Sequence, residues 1–230
     1  MDGNGRWAKN RGLSRIKGHL EGAESVRAVV RTSRELGLKV LTLYAFSTEN
    51  WGRPKAEIKA LMELLQRFLI SEEAEMVKQG IRLNAIGQIE RLPKATQKTL
   101  KAVMAATASG KEMILNLALS YGSREEIARA AAKLARRCLD GSLNPDEINE
   151  AVFNSFLQTA DLPEVDLLIR TSGEQRLSNF LLWQAAYAEL SMVPTLWPDF
   201  KEKEFVAALI EFQRRERRFG LTSEQLALPS

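Results

Sequence analysis

Apolar residues along this chain fall into two rhythms that alternate. Residues 21–36 place Val26, Val29 and Val30 on one helical face, with Gly37 as the stop. Residues 38–46 form a short apolar run with little alternation, the pattern of a strand buried on both faces. Pro54 then suits the first turn of a helix running to about Lys78, with Ile58, Leu61, Met62, Leu65, Phe68 and Leu69 at helical spacing. The same reading predicts strands over 81–86, 113–119 and 165–169, a last strand over 192–196, and helices over 93–109, 123–139, 145–159 and 179–190. Ser123 with Glu126 reads as a capping box, and Asp199 as the cap of a final helix that ends in the Arg-rich run 214–220. Strand and helix alternate through most of the chain. That predicts one α/β domain over 1–230: a mostly parallel central sheet of about six strands, flanked by helices.

Composition narrows the picture without changing it. A hydrophobic fraction of 45% is ordinary for a globular protein, and the runs 40–46 and 113–119 fall far short of the ~20 apolar residues that span a bilayer. No basic-then-apolar leader opens the chain. The single cysteine, Cys138, excludes an internal disulfide and fits a reducing, cytoplasmic compartment. With one histidine, His19, a multi-histidine metal site is excluded, and a Ser-His-Asp triad would have to use that residue. The net charge of +4 suits anionic small molecules or anionic lipid surfaces, and no zinc-finger, RNP or helix-turn-helix signature selects nucleic acid.

Candidate chemistry begins at Asp2-Gly3-Asn4-Gly5-Arg6-Trp7. Two glycines let the backbone approach a ligand, and free N–H groups in such a turn can cradle phosphate oxygens. A carboxylate there would repel a bare phosphate, so Asp2 implies a divalent cation between the two, as in Mg²⁺ sites completed by substrate phosphates. Asp-Gly and Asn-Gly are equally the common tight-turn dipeptides. The run Gly3–Ala8 also fits a dinucleotide fingerprint, but no strand precedes it; an EF-hand loop fails at Arg6, Trp7 and Leu13.

In parallel sheets ligands bind beyond the carboxyl ends of the strands. The segments leaving those ends here, 47–53 and 170–179, combine hydroxyls, amides and arginines. Gathered at one edge with the Asp2–Arg6 block, they would bring Arg6, Arg53, Arg170 and Arg176 together. Like charges so placed need an anion between them, and the forked guanidinium suits a diphosphate.

These residues resemble the signature blocks of the cis-prenyltransferases, most closely the bacterial branch that forms undecaprenyl diphosphate. The blocks are Met1–Ala8, Tyr44–Trp51 with Arg53 and Pro54, Asp166–Asn179 and Trp183–Leu190, in family order over nearly the whole chain. The resemblance implies elongation of farnesyl diphosphate by isopentenyl diphosphate units, each adding a cis double bond, with Mg²⁺, in a homodimer with a long apolar tunnel. By position it implies that Asp2 is the essential aspartate at the Mg²⁺-diphosphate, and that Gly3, Asn4, Gly5, Arg6, Trp7, Arg15 and His19 bind the allylic diphosphate. Ser47, Thr48, Glu49, Asn50, Trp51 and Arg53 match the loop over the reacting ends. Arg170, Arg176, Leu177 and Ser178 match the isopentenyl diphosphate site, Glu189 a second Mg²⁺ carboxylate offered across the dimer contact, and Arg218 a further diphosphate contact. The family assigns proton acceptance to Asn50. A neutral amide is a poor base, so we expect Asn50 to orient a substrate while a diphosphate oxygen or Glu49 takes the proton. A long product needs an apolar lining, at roughly 0.8 kcal/mol per buried CH₂, and the faces 58–69 and 113–119 are candidates for it as well as for ordinary core.

The sequence departs from the family in places. The family has an apolar strand ahead of the Asp2–Arg6 block, whereas this sequence opens at Met1. Ser172 stands where many relatives have glycine, Gln175 where many have histidine, and Leu119 where alanine is common, which points to a shorter product if Leu119 lines the tunnel. Other readings are a shorter-chain synthase, a non-catalytic partner subunit, which should lack Asp2, Asn50 and Arg53, and a dinucleotide-dependent oxidoreductase. Peripheral contact with the inner membrane face for product release stays open.

Overall fold

A computed structural model describes residues 1–216, so Arg218 lies outside the described residues. The described chain holds helices α1 (Asn4–Asn10), α2 (Arg15–Glu35), α3 (Lys55–Lys78), α4 (Lys94–Ala106), α5 (Ser123–Leu139), α6 (Glu150–Ser155) and α7 (Glu202–Gln213). Its strands are β1 (Val40–Ser47), β2 (Ile81–Ile86), β3 (Met113–Tyr121), β4 (Leu167–Arg170) and β5 (Glu189–Met192). Every strand pair is parallel, as the alternating pattern predicts. The expected single sheet of about six strands is instead a three-stranded sheet in the order β1-β3-β2 and a two-stranded sheet of β4 and β5. The central strand, β3, is buried almost throughout, which is why its sequence is a near-continuous apolar run.

The core lies between this sheet and α3. Met62 and Leu69 are buried with Leu115 and Leu117 in one apolar cluster, and Leu61 and Leu65 pack against that cluster. Thr42, Asn116 and Asn84 stand in register across the sheet. They satisfy one another through Asn84 Nδ2 to Asn116 Oδ1 (3.0 Å) and Asn116 Nδ2 to Thr42 Oγ1 (3.2 Å).

Several expected elements are corrected, each by a tertiary contact. The helix expected over 179–190 does not form. Ser178, Asn179 and Leu181 take φ of 52°, 61° and 47°, and Glu189–Met192 pairs with β4 instead of closing a helix. Helical propensity in Trp183–Ala188 loses to these contacts. The strand expected over 192–196 is therefore β5, shifted toward the amino end. The helix expected over 145–159 is broken into a 3-10 turn (Pro145–Glu147) and the short α6, because Asn144 and Asn149 each cap a new start. Ser123 is the first residue of α5 rather than its cap, and its hydroxyl accepts the Leu182 N–H at 2.9 Å. Asp199 does not cap α7, since its carboxylate accepts from Trp7 Nε1 (2.7 Å) and Arg11 (3.2 Å). The glycine block at the amino end enters α1, with Gly3 in the left-handed region at φ 106° as its N-cap, and α2 starts at Arg15 rather than near residue 21.

Candidate active site

The segments that follow β1, β3 and β4 are joined through Asn179, which bonds Glu49, Ser123 and Arg124. Beside them opens a cavity of about 350 Å³, polar at one end and apolar at the other. Asp2, Gly3, Asn4, Gly5, Arg6, Arg15, His19, Asn50 and Arg53 line the polar end, while Val26, Phe46, Leu61, Leu65, Leu117 and Leu119 are among the residues lining the apolar part. Leu119 is fully buried and faces this space.

Close helix packing shapes the polar end. A Cβ on Gly18 of α2 would sit 2.1 Å from the Asn4 carbonyl oxygen, and one on Gly22 would sit 2.2 Å from Asn4 Oδ1. Only glycine at both positions lets α1 lie this close to α2. Asp2 is pinned on its backbone: its N–H donates to Thr171 Oγ1 (2.9 Å), and its carbonyl accepts from Thr171 Oγ1 (2.9 Å) and the Trp197 N–H (2.9 Å). The Asp2 carboxylate accepts from the Gly3 N–H (2.7 Å) and pairs with Arg170 Nη2 (2.8 Å). Burial alone would raise its pKa. The charge and hydrogen bond of Arg170, with the Gly3 N–H and Arg6, outweigh burial and hold the carboxyl below its usual range.

Among the described residues, each expected arginine meets a carboxylate. Arg6 pairs with Glu174 (2.9 Å) and donates to Ser172 Oγ (2.8 Å), and Arg176 pairs with the same Glu174. Arg15 and Arg53 both reach Glu57, each at 3.2 Å. His19 Nε2 lies 3.9 Å from Glu57. Burial, then the charge of Arg53, push the His19 pKa down to about 4 against the opposing pull of Glu57, so the ring is neutral at neutral pH. Asn4 Oδ1, His19 Nε2 and the Arg170 Nε are buried polar atoms without a hydrogen-bond partner. Orphaned polar atoms cost about 1–3 kcal/mol each, and two of these, on Asn4 and His19, belong to residues that line the cavity, which points to a polar ligand there.

The 47–53 segment forms a 3-10 turn (Thr48–Gly52) in which Asn50 Oδ1 accepts the Ser47 N–H at 3.2 Å. Trp51 donates to Ser120 Oγ (2.9 Å), with Phe46 edge-on to its ring and Arg91 over it. Thr48 and Glu49 face Gly122 and Asn179, not the cavity. Arg170 Nη1 donates to the Arg176 carbonyl (3.2 Å), which ties Arg176, Leu177 and Ser178 to the Asp2 side of the site.

Ser47, Trp51, Arg170, Arg176, Leu177 and Ser178 are likewise not among the residues lining the cavity, and Trp7 and Glu189 stand apart within this chain. Trp7 turns away to Asp199, with Arg11 over its ring, and does not line the cavity. Glu189 is paired with Leu167 at the start of β5, three residues along the strands from Arg170, roughly 10 Å, and it binds Arg215 at 2.9 Å. No group of three His, Cys, Asp or Glu that could hold a metal occurs among the described residues. Sequence reasoning missed Glu57, Glu174, Thr171 and Trp197. Glu57 follows Arg53 by four residues, and Thr171 and Glu174 lie inside the 170–179 segment, but no local pattern pairs these residues with their partners or marks Trp197.

Residues 1–220 match the family described as putative undecaprenyl diphosphate synthase. An isoprenyl transferase from Bacillus subtilis is 52% identical over 220 residues, covering 96% of this chain and 85% of that protein. Another from Heliobacterium mobile is 51% identical over 220 residues with the same coverage. Among solved structures, lavandulyl diphosphate synthase from Lavandula x intermedia in complex with dimethylallyl diphosphate aligns with a TM-score of 0.93 at 40% identity, over 96% of this chain and 95% of that one. A probable undecaprenyl diphosphate synthase from Campylobacter jejuni aligns at 0.76 and 38% identity, over 87% and 92%. Block order, parallel fold and full-length identity agree, and the chain belongs to the undecaprenyl diphosphate synthase family of prenyltransferases.

Proposed function

We propose that this protein condenses isopentenyl diphosphate units onto an allylic diphosphate, farnesyl diphosphate, to make a cis-polyprenyl diphosphate that serves as a lipid carrier precursor for cell-wall polysaccharide. The observation that carries this reading is the two-ended cavity: one acid, three arginines and a neutral histidine at its mouth, and aliphatic side chains beyond. A prenyl diphosphate has the same division.

Allylic C–O bond breaking leaves negative charge on diphosphate. Arg6, Arg15 and Arg53 stand where that charge grows, and each exchanges its present carboxylate partner for a phosphate oxygen. Gly3, Asn4 and Gly5 let the diphosphate approach the start of α1. Arg170, Arg176 and Ser178 hold the incoming diphosphate on the other flank, and the positioning of the two substrates supplies the rest. Asn50 orients a substrate: its Oδ1 is committed to the Ser47 N–H, which leaves its N–H donors for the ligand. The departing diphosphate takes the proton. Hydrogen bonds from Asn179, Ser47 and Thr48 outweigh the opposing effect of burial and keep Glu49 below the usual carboxyl range, a poor base.

The donor set fits Mg²⁺ shared with a diphosphate better than free Mg²⁺. Among the described residues Asp2 is the one carboxylate lining the cavity, and Mg²⁺ is commonly held by one or two carboxylates with substrate phosphates. When bound there, the cation neutralises charge on the leaving diphosphate. Glu189 joins Asp2 only through a second copy of the chain. The exposed apolar side chains Trp183, Tyr187, Leu190 and Ile210 suit that homodimer.

A shorter product is the second reading. It is favoured by Leu119, which narrows a cavity already at the lower end of the ~300–1,000 Å³ usual for small-ligand pockets. Labelled isopentenyl diphosphate fed with farnesyl diphosphate and Mg²⁺, followed by chromatographic sizing, separates the two. Undecaprenyl-length product is expected, a product only a few units longer than the primer selects the second reading, and no product overturns both.

A further inference from the structure

We propose that Asn179 is a positioning residue that ties the segment after β1 to the loop carrying Arg170, Arg176 and Ser178, so that both flanks of the site share one geometry. The inference rests on the reading of the site given above.

Three strand ends converge on this residue. Its carbonyl accepts the Ser123 N–H at 2.8 Å, and its Oδ1 accepts the Arg124 N–H at 2.7 Å, so two bonds fix it to the start of α5. Its Nδ2 donates to Glu49 Oε1 at 3.0 Å, in the 3-10 turn that also carries Asn50. The contact leaves no slack. A Cβ on Gly122 would sit 2.7 Å from both Asn179 Nδ2 and Thr48 Oγ1. Asn179 itself stands at φ 61°, a region asparagine tolerates better than other non-glycine residues. The next residue, Phe180, stacks on Tyr44 of β1 (centroids 4.4 Å apart, 12° between planes) and meets Tyr121 of β3 edge-on. An amide is required because the side chain must accept from α5 and donate to Glu49 at once. A carboxylate would face Glu49 with no proton to share.

Asn179→Gly tests this without backbone strain, since glycine accepts the same φ. We expect Asn179→Gly and Glu49→Ala each to lower kcat/KM for isopentenyl diphosphate by about tenfold or more. The double variant should be no worse than the weaker single, and farnesyl diphosphate affinity, measured alone, should stay within about twofold of wild type for Asn179→Gly, as distant, independent effects would not behave. Asn179→Asp should lose activity through repulsion and regain part of it when Glu49→Gln is added, which reverses donor and acceptor. Hydrogen exchange gives a readout without turnover: Asn179→Gly should speed exchange at residues 48–52 and leave the amides of β2 as in wild type. Absence of prenyl transfer by the wild type would sink the functional reading alone, because the exchange result still decides this one. Multiplied losses in the double variant, or unchanged exchange at 48–52, overturn it.

Discussion

The two flanks of the site carry similar side chains on dissimilar backbones. From Gly3 to Arg53, the functional groups stand on α1, α2, the end of β1 and a 3-10 turn, and their spacing is set by helix register and by the glycine contacts of Gly18 and Gly22. From Arg170 to Asn179, they stand on an irregular loop with Ser172, Ser178 and Asn179 at positive φ, held by side-chain hydrogen bonds. The first flank is positioned by backbone packing and the second by polar contacts. Different substitutions should therefore break each one, and Asp2, bonded to Thr171 and Arg170, joins them.

Removing the joint should have the largest effect. Asp2→Ala takes away the carboxylate and leaves Arg170 only the Arg176 carbonyl, and a loss of at least about a hundredfold in kcat is expected from steady-state assays. Activity near wild type would refute its role. Glu189→Ala asks whether the second flank is completed from another subunit. A loss of about a hundredfold in turnover is expected, with the Mg²⁺ concentration needed for half-activity raised. An unchanged Mg²⁺ dependence would confine Glu189 to its ion pair with Arg215.

Gly18→Ala sharpens the contrast on the first flank alone. The added methyl meets the Asn4 backbone at 2.1 Å, so α1 must move, at a cost of about 1–3 kcal/mol read from chemical denaturation. Allylic diphosphate affinity should weaken, while the exchange protection of the 170–179 loop stays unchanged. A variant as stable as wild type would show that α1 shifts freely.

Leu119→Ala acts below both flanks. It should shift products to longer chains, because it lengthens the apolar part of the cavity, and it should cost about 2–5 kcal/mol of stability as a large-to-small change in a packed site. An unaltered product distribution would remove Leu119 from length control.

The smallest effect concerns His19. Its folded pKa, near 4, lies below the ordinary value of 6.5, so the unfolded chain takes up the proton first as pH falls. The stability that neutral His19 contributes is fully present above pH 6.5 and is lost as pH falls from about 6.5 towards 4. Denaturation midpoints at pH 7 and 5 should differ more for wild type than for His19→Gln. Equal differences would show that burial of this ring leaves its protonation unaffected.

Much of the first flank was legible because its signals are local. Gly3, Gly5 and Arg6 lie within one turn, and Ser47 to Arg53 form one polar segment at the end of a strand. The second flank was legible as chemistry and misread as structure. Trp183–Ala188 has the composition of a helix, yet Leu181 is buried, Leu182 is bound by Ser123 and Glu189 joins β4, so the chain turns instead. Each of those partners lies far away in sequence, beyond the reach of local pattern.

By itself, the sequence determined the alternation of strand and helix, the parallel pairing and the residue types proposed to bind a prenyl diphosphate, because periodicity and side-chain chemistry are properties of neighbouring residues. Tertiary structure decided which of them meet. It turned Trp7 aside to Asp199, parted Glu189 from Asp2 within one chain, and brought Asn179 between Glu49 and α5. Those outcomes depend on close packing between distant segments, where a single glycine or one hydrogen bond fixes the approach.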